Sequence, residues 1–129
     1  LSFAAAQYLA FLSEQEGNHK LAYDLLKPIK EHLSEDALCL LHKLAAVQKD
    51  YQLVADISSD CYQIANNLEI AVRNARAFAY LKQPKPAGGW LQAAWRQGGL
   101  DLEMILQEEE FLAINDDPEF RSFVVRLKP

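Results

Sequence analysis

Three stretches of the chain line up: Gly17-Asn18-His19-Lys20-Leu21-Ala22, Lys49-Asp50-Tyr51-Gln52-Leu53-Val54 and Lys82-Gln83-Pro84-Lys85-Pro86-Ala87. Each begins with a turn and runs into an apolar helical pattern. The small residue that opens the following helix recurs at 22, 54 and 87, spacings of 32 and 33 residues. A helix-turn-helix unit with a period near 34 residues is the mark of a repeat architecture built from helical hairpins.

The segments between these turns read as helices. Leu21, Ala22, Leu25, Leu26, Ile29 and Leu33 recur at i, i+3 and i+4, and so do Ala37, Leu41, Leu44 and Ala45. The longest stripe is Leu53, Val54, Ile57, Cys61, Ile64, Ala65 and Leu68. It is followed by Leu68, Ala71, Val72, Ala75, Phe78 and Ala79, then by Ala87, Trp90, Leu91 and Ala94, and at the end by Phe120, Phe123, Val124 and Leu127. No segment alternates strictly as a half-buried strand would, so the expected class is all-α. The short breaks make successive helices antiparallel neighbours. Gly17 suits a left-handed helix end. Ser34-Glu35-Asp36, Lys49-Asp50 and Asn66-Asn67 supply turn and cap chemistry, and Gln83-Pro84-Lys85-Pro86 is the sharpest break. Pro28 is expected to kink the second helix or end it early.

These positions resemble the tetratricopeptide-repeat family. Ala10 and Ala75 stand where that family keeps a small residue, Gly17 at its turn glycine, and Ala22 and Ala87 at the small position early in the second helix, with Val54 a bulkier substitute. The run Ala87-Gly88-Gly89-Trp90-Leu91-Gln92-Ala93-Ala94 is similar to the common A-x-x-W-L-x-x-A helix. Asp116-Asp117-Pro118-Glu119-Phe120-Arg121-Ser122-Phe123 is similar to the Asp-Pro cap that closes many bacterial arrays. Repeat two departs most, with His42 in place of a small residue, and Gly88-Gly89 is expected to weaken the second helix of the third hairpin.

The resemblance implies a right-handed superhelical stack of three hairpins, about 3–33, 35–66 and 67–98, within 1–99, followed by an acidic helical cap over 100–129. It further implies that first helices line a concave face that holds a peptide or helix of a partner. Positions carried over to that face are Gln7, Tyr8, Phe11 and Gln15, then Asp36, Cys39, Leu40 and Lys43, then Glu69, Val72, Arg73, Arg76 and Tyr80. Those expected to bind are Tyr8, Phe11, Lys43, Arg73, Arg76 and Tyr80. The carboxylate clamp of chaperone-tail binders is missing, since Phe11 and Leu40 replace its asparagines. The expected ligand is a segment with an apolar anchor and some acidic character.

Composition narrows the classes. Half of the 129 residues are hydrophobic and 24% charged, a balance that buries a sizeable core. With 13 Lys and Arg against 18 Asp and Glu, the net charge of −5 disfavours nucleic acid. No apolar run approaches the ~18 residues of a membrane span. Cys39 and Cys61 are too few and too distant in sequence for a disulfide framework, and read as small buried hydrophobes of a reducing compartment, pointing to the cytoplasm. The chain opens at Leu1 inside an apolar pattern and reads as the closing end of a longer protein.

Chemistry has little to stand on. His19, His32 and His42 show no ligand spacing and read as exposed or partly buried helix residues, so no metal is expected. The acids from Asp101 to Glu119 lack the oxygen cage of a calcium loop and read as a solvated cap. Gly88-Gly89 and Gly98-Gly99 lack the context of a phosphate loop, and Ser58-Ser59 has no base. The expectation is a non-enzymatic interaction module with no cofactor and another protein as partner. The alternatives are an accessory domain of a larger enzyme, or a self-assembly unit in which another copy covers the N-terminal hairpin face. Trp95 is expected against the cap, and Phe78, Trp90 and Phe120 in the core.

Overall fold

A computed structural model describes residues 1–127 of the chain. Among the described residues there are nine α-helices and no strand, so the class is all-α. The helices are α1 (Phe3–Gln15), α2 (His19–Leu26), α3 (Glu35–Val47), α4 (Tyr51–Asp56), α5 (Ser58–Ile64), α6 (Leu68–Tyr80), α7 (Pro84–Gln97), α8 (Leu102–Leu106) and α9 (Pro118–Leu127). Two 3-10 segments intervene, Lys27–His32 and Glu109–Phe111.

The three aligned turns share one backbone geometry. Gly17, Lys49 and Lys82 all adopt a left-handed conformation, at φ 82°, 59° and 61°. In each, the left-handed residue's N–H reaches back three residues and the next N–H reaches back five: Gly17 to Glu14 and Asn18 to Ser13, Lys49 to Ala46 and Asp50 to Ala45, Lys82 to Ala79 and Gln83 to Phe78. This pair of bonds satisfies the carbonyls orphaned at a helix end. The next residue then starts a helix. Asn18 and Asp50 accept from the amides of Leu21 and Leu53 through their side chains, whereas Pro84 opens α7 with its preset φ. Ser34 and Asn67 cap α3 and α6 in the same way.

Two predicted helices are shorter than their apolar stripes. Pro28 ends α2 at Leu26, and the chain continues as a 3-10 segment with Ile29 outside helical geometry. The stripe from Leu53 to Leu68 is not one helix. It breaks at Ile57, φ −105° and ψ 10°, where the Ser58 hydroxyl donates to the Ala55 carbonyl, and it ends at the extended Ala65.

Packing follows the chain: α1 on α2, α2 on α3, α3 on α4 and α5, α4 and α5 on α6, α6 on α7, and α7 on α9. One apolar cluster, including Ala10, Leu26, Leu41, Leu44, Val54 and Cys61, joins α1 through α6. A second draws Ala75, Ala79, Ala87 and Leu91 together with Leu102, Ile105, Phe111, Ile114 and Phe120, so residues beyond 100 complete the core around α6 and α7. Burying a large side chain of this kind stabilises by about 1.5–3 kcal/mol. Phe120 is buried as expected, but Phe78 and Trp90 are only half-buried and Trp95 is exposed. Gly88-Gly89 leaves α7 unbroken. Gly88 lies under the Phe123 ring, where a Cβ would come within 2.5 Å, so its bare backbone lets α9 dock.

Candidate functional site

The polar centre of the fold starts at His42 on α3, 32 residues after the small residue Ala10. Contrary to the expectation of an exposed or partly buried histidine, it is fully buried. Its Nε2–H donates to Asn74 Oδ1 at 2.6 Å, and Asn74 Nδ2 donates to the Ser58 carbonyl at 3.1 Å. These bonds tie α3, α6 and the start of α5 together. They leave Nδ1 as an acceptor facing Arg73 Nη1 at 3.4 Å. Burial pushes the His42 pKa down to about 4; the Asn74 bond opposes this and the Arg73 charge adds to it. A neutral ring is therefore what the Arg73 guanidinium meets.

Arg73 projects from α6 into a cleft of about 210 Å³ lined by Ala46, Lys49, Tyr51, Arg73, Arg76, Glu108 and Glu110. Its side chain is only 19% exposed, and its ion pair to Glu69 is long, at 3.5 Å. Burial lowers its pKa, Glu69 opposes, and Arg76 adds to the lowering. Arg76 is differently placed. Its Nε and Nη2 donate to the two Glu108 oxygens at 2.8 and 2.9 Å, a fork that raises its pKa. Across the cleft the Tyr51 hydroxyl donates to Glu110 at 2.7 Å, and burial, followed by that carboxylate, pushes its pKa up. The Tyr51 ring lies against Tyr80, centroids 4.5 Å apart, with Tyr80 half-exposed.

The structure thus gathers Arg73, Arg76 and, through Tyr51, Tyr80 around one cleft. Lys43 and the α1 aromatics do not line it. Lys43 donates to Glu14 of α1 at 3.0 Å, and Glu14 also takes His19. Burial alone would raise the Glu14 pKa, but its bonds to His19 and Lys43 bring it below the ordinary value. Tyr8, 66% exposed, and Phe11 stand open on α1. The face is therefore less basic than the sequence suggests, because Lys43 and Arg76 carry their own counter-ions. The acidic segment is likewise no uniform solvated cap: Glu108 and Glu110 fold back on the cleft, while Asp101 and Asp117 cap α8 and α9.

Sequence reasoning missed Asn74, Tyr51, Lys49 and the inward turn of Glu108 and Glu110. The one available signal was His42 itself, a bulky polar group at a small-residue position, which when buried requires a partner. Cys39 and Cys61, distant in sequence, are free thiols on α3 and α5, and the Cys61 thiol donates to the Leu38 carbonyl at 3.7 Å. Burial pushes Cys61 up to about 12. Among the described residues, no group of three or more His, Cys, Asp or Glu is arranged to hold a metal ion, and no helix is long and apolar enough to cross a membrane. Comparison of the chain with protein-family models, curated proteins and solved structures finds no significant match.

Proposed function

We propose that this chain is a protein-interaction module of tetratricopeptide-like hairpins that holds a partner's segment across α1, α3 and α6, with an acidic group of that segment anchored at Arg73. The three equivalent turns at repeat spacing support the hairpin reading. Lys43 with Glu14 links α1 to α3, and Arg73 with His42 links α3 to α6, so polar side chains run across the three helices in order.

The observation that carries the reading is Arg73. A guanidinium mostly out of water, whose bonds to His42 and Glu69 are long at 3.4 and 3.5 Å, has its lost hydration only weakly replaced by these partners. A ligand carboxylate would supply two short charge-assisted bonds. The neighbouring Tyr51–Tyr80 pair offers an apolar rim for the residue beside that carboxylate. Two free thiols fit a reducing compartment, and the reading places the module in the cytoplasm.

The test is a peptide array varied in acidic and aromatic content, probed with the 129-residue chain and with its Arg73→Glu and Arg73→Gln variants. Peptides pairing one acid with an apolar neighbour should be retained by the parent chain and lost by both variants. Equal retention by all three would remove Arg73 from the site.

A second reading has its own observation. Phe3, Tyr8, Leu9, Phe11 and Leu21 leave apolar surface exposed on α1 and α2, which a further copy of the chain would cover. Sedimentation over a concentration range separates the two, since a monomer at all concentrations excludes self-assembly.

A further inference from the structure

The cleft holds two guanidinium groups in unlike states. Arg76 has its fork filled by Glu108 at 2.8 and 2.9 Å, while the Arg73 bonds to His42 and Glu69 are long, at 3.4 and 3.5 Å. Glu108 is the residue immediately before the 3-10 segment Glu109–Phe111, and the fully buried Phe111 ring fixes that segment against the core around α6. The backbone is thus anchored, yet the Glu108 side chain keeps 30% of its surface in water. It can leave Arg76 by rotating about its own bonds, with no helix undocked.

We propose that Glu108 is a resident carboxylate, an intramolecular competitor that occupies Arg76 as a partner's acidic group would. This inference rests on the carboxylate-anchoring role given to Arg73 above. It names what the cleft selects. A segment bearing one carboxylate docks at Arg73 without disturbing Glu108. A segment bearing two adjacent carboxylates must displace Glu108 to use both guanidinium groups, and meets repulsion from Glu108 and Glu110 as it does so. The cleft therefore favours singly acidic segments, and the acidic run that begins there screens out polyacidic ones.

The experiment follows the arginine Nε–H signals of the full chain by nitrogen-15 NMR, titrated with two probes. One is N-acetylglutamate methylamide, with a single carboxylate; the other is N-acetyl-Glu-Glu methylamide, with two. In the parent chain both probes should move the Arg73 signal and leave Arg76 in place, the two-carboxylate probe binding the more weakly. In Glu108→Gln, Arg76 should respond as well, and the two-carboxylate probe should bind about five-fold tighter, the scale of one partly exposed charge pair. Glu108→Asp, which keeps the charge but shortens the reach, should lie between them and guards against a fold defect in the first variant. Unchanged affinity with an unmoved Arg76 signal in both variants overturns the competitor role while leaving Arg73 as the anchor. If no probe moves Arg73 in any form, the anchor itself fails, and the competitor with it.

Discussion

His42 of α3 and Asn74 of α6 are both fully buried and share one hydrogen bond, the ring Nε2–H donating to the amide Oδ1 at 2.6 Å. The bond fixes the tautomer of a histidine with no route to solvent, and it makes stability respond to acid. In the folded chain the ring stays neutral down to about pH 4, whereas an unfolded imidazole takes up its proton near 6.5. Between those values the unfolded state binds more protons, so stability rises with pH and falls on acidification. From pH 7.5 to 5 the loss from this residue is about 2 kcal/mol. Urea denaturation at the two pH values should show it, and His42→Ala should flatten the difference. Asn74→Ala, which strands the ring N–H, should cost about 1–3 kcal/mol at pH 7.5.

The two adjacent glycines of α7 should respond in opposite directions. Gly88→Ala drives a methyl into the Phe123 ring and should destabilise by about 1–3 kcal/mol, because α9 must shift. Gly89→Ala meets open space within a helix and should stabilise by about 0.5–1 kcal/mol. Thermal melts of the two variants, read side by side, decide the matter; a destabilised Gly89→Ala would mean that the helix geometry at that position is not as described.

Lys49 and Lys82 hold the left-handed conformation that Gly17 holds without strain. A side chain in that region costs roughly 1–2 kcal/mol. Lys49→Gly and Lys82→Gly should each raise stability by several tenths of a kcal/mol to about 1 kcal/mol, with part of the relief lost to unfolded-state entropy. Gly17→Ala should lower it by about 1 kcal/mol. Chemical denaturation midpoints for the three variants would establish the ordering.

The thiols should label in sequence. Cys39 is half-buried, while Cys61 is fully buried and its pKa is pushed up to about 12. The thiolate is the reactive form. Iodoacetamide at pH 8 should therefore alkylate Cys39 first and reach Cys61 only when the chain unfolds, as followed by intact mass and peptide mapping. Equal rates in the native state would show that α3 and α5 part readily.

Much of the helical layout was legible because it is locally encoded. The turn at Gly17, the caps at Ser34, Asp50 and Asn67, and Pro28's early stop each depend on residues within five positions of one another. The break at Ile57 was not legible, since Leu53, Val54, Ile57 and Cys61 keep helical spacing straight through it. What marks the break is a hydroxyl bond from Ser58 to Ala55, to which periodicity is blind. The cleft was half-legible. Arg73, Arg76 and Tyr80 could be placed on one helix face, but Glu108 meets Arg76 across 32 residues. Nothing in an acidic run announces which of its members turns inward. Asn74 was hidden by its neighbours, a polar residue within an alanine-rich stripe.

The Tyr51 hydroxyl and the Glu110 carboxylate join parts of the chain 59 residues apart. Most other packing links elements close in sequence, and a chain assembled in that way folds fast but can also fray from either end, one unit at a time. A bond from the start of α4 to the segment after α8 closes such a ladder into a loop. Residues 51–110 then gain or lose structure together, so hydrogen exchange in that stretch should share one opening free energy, while α1 and α2 exchange through smaller, separate excursions.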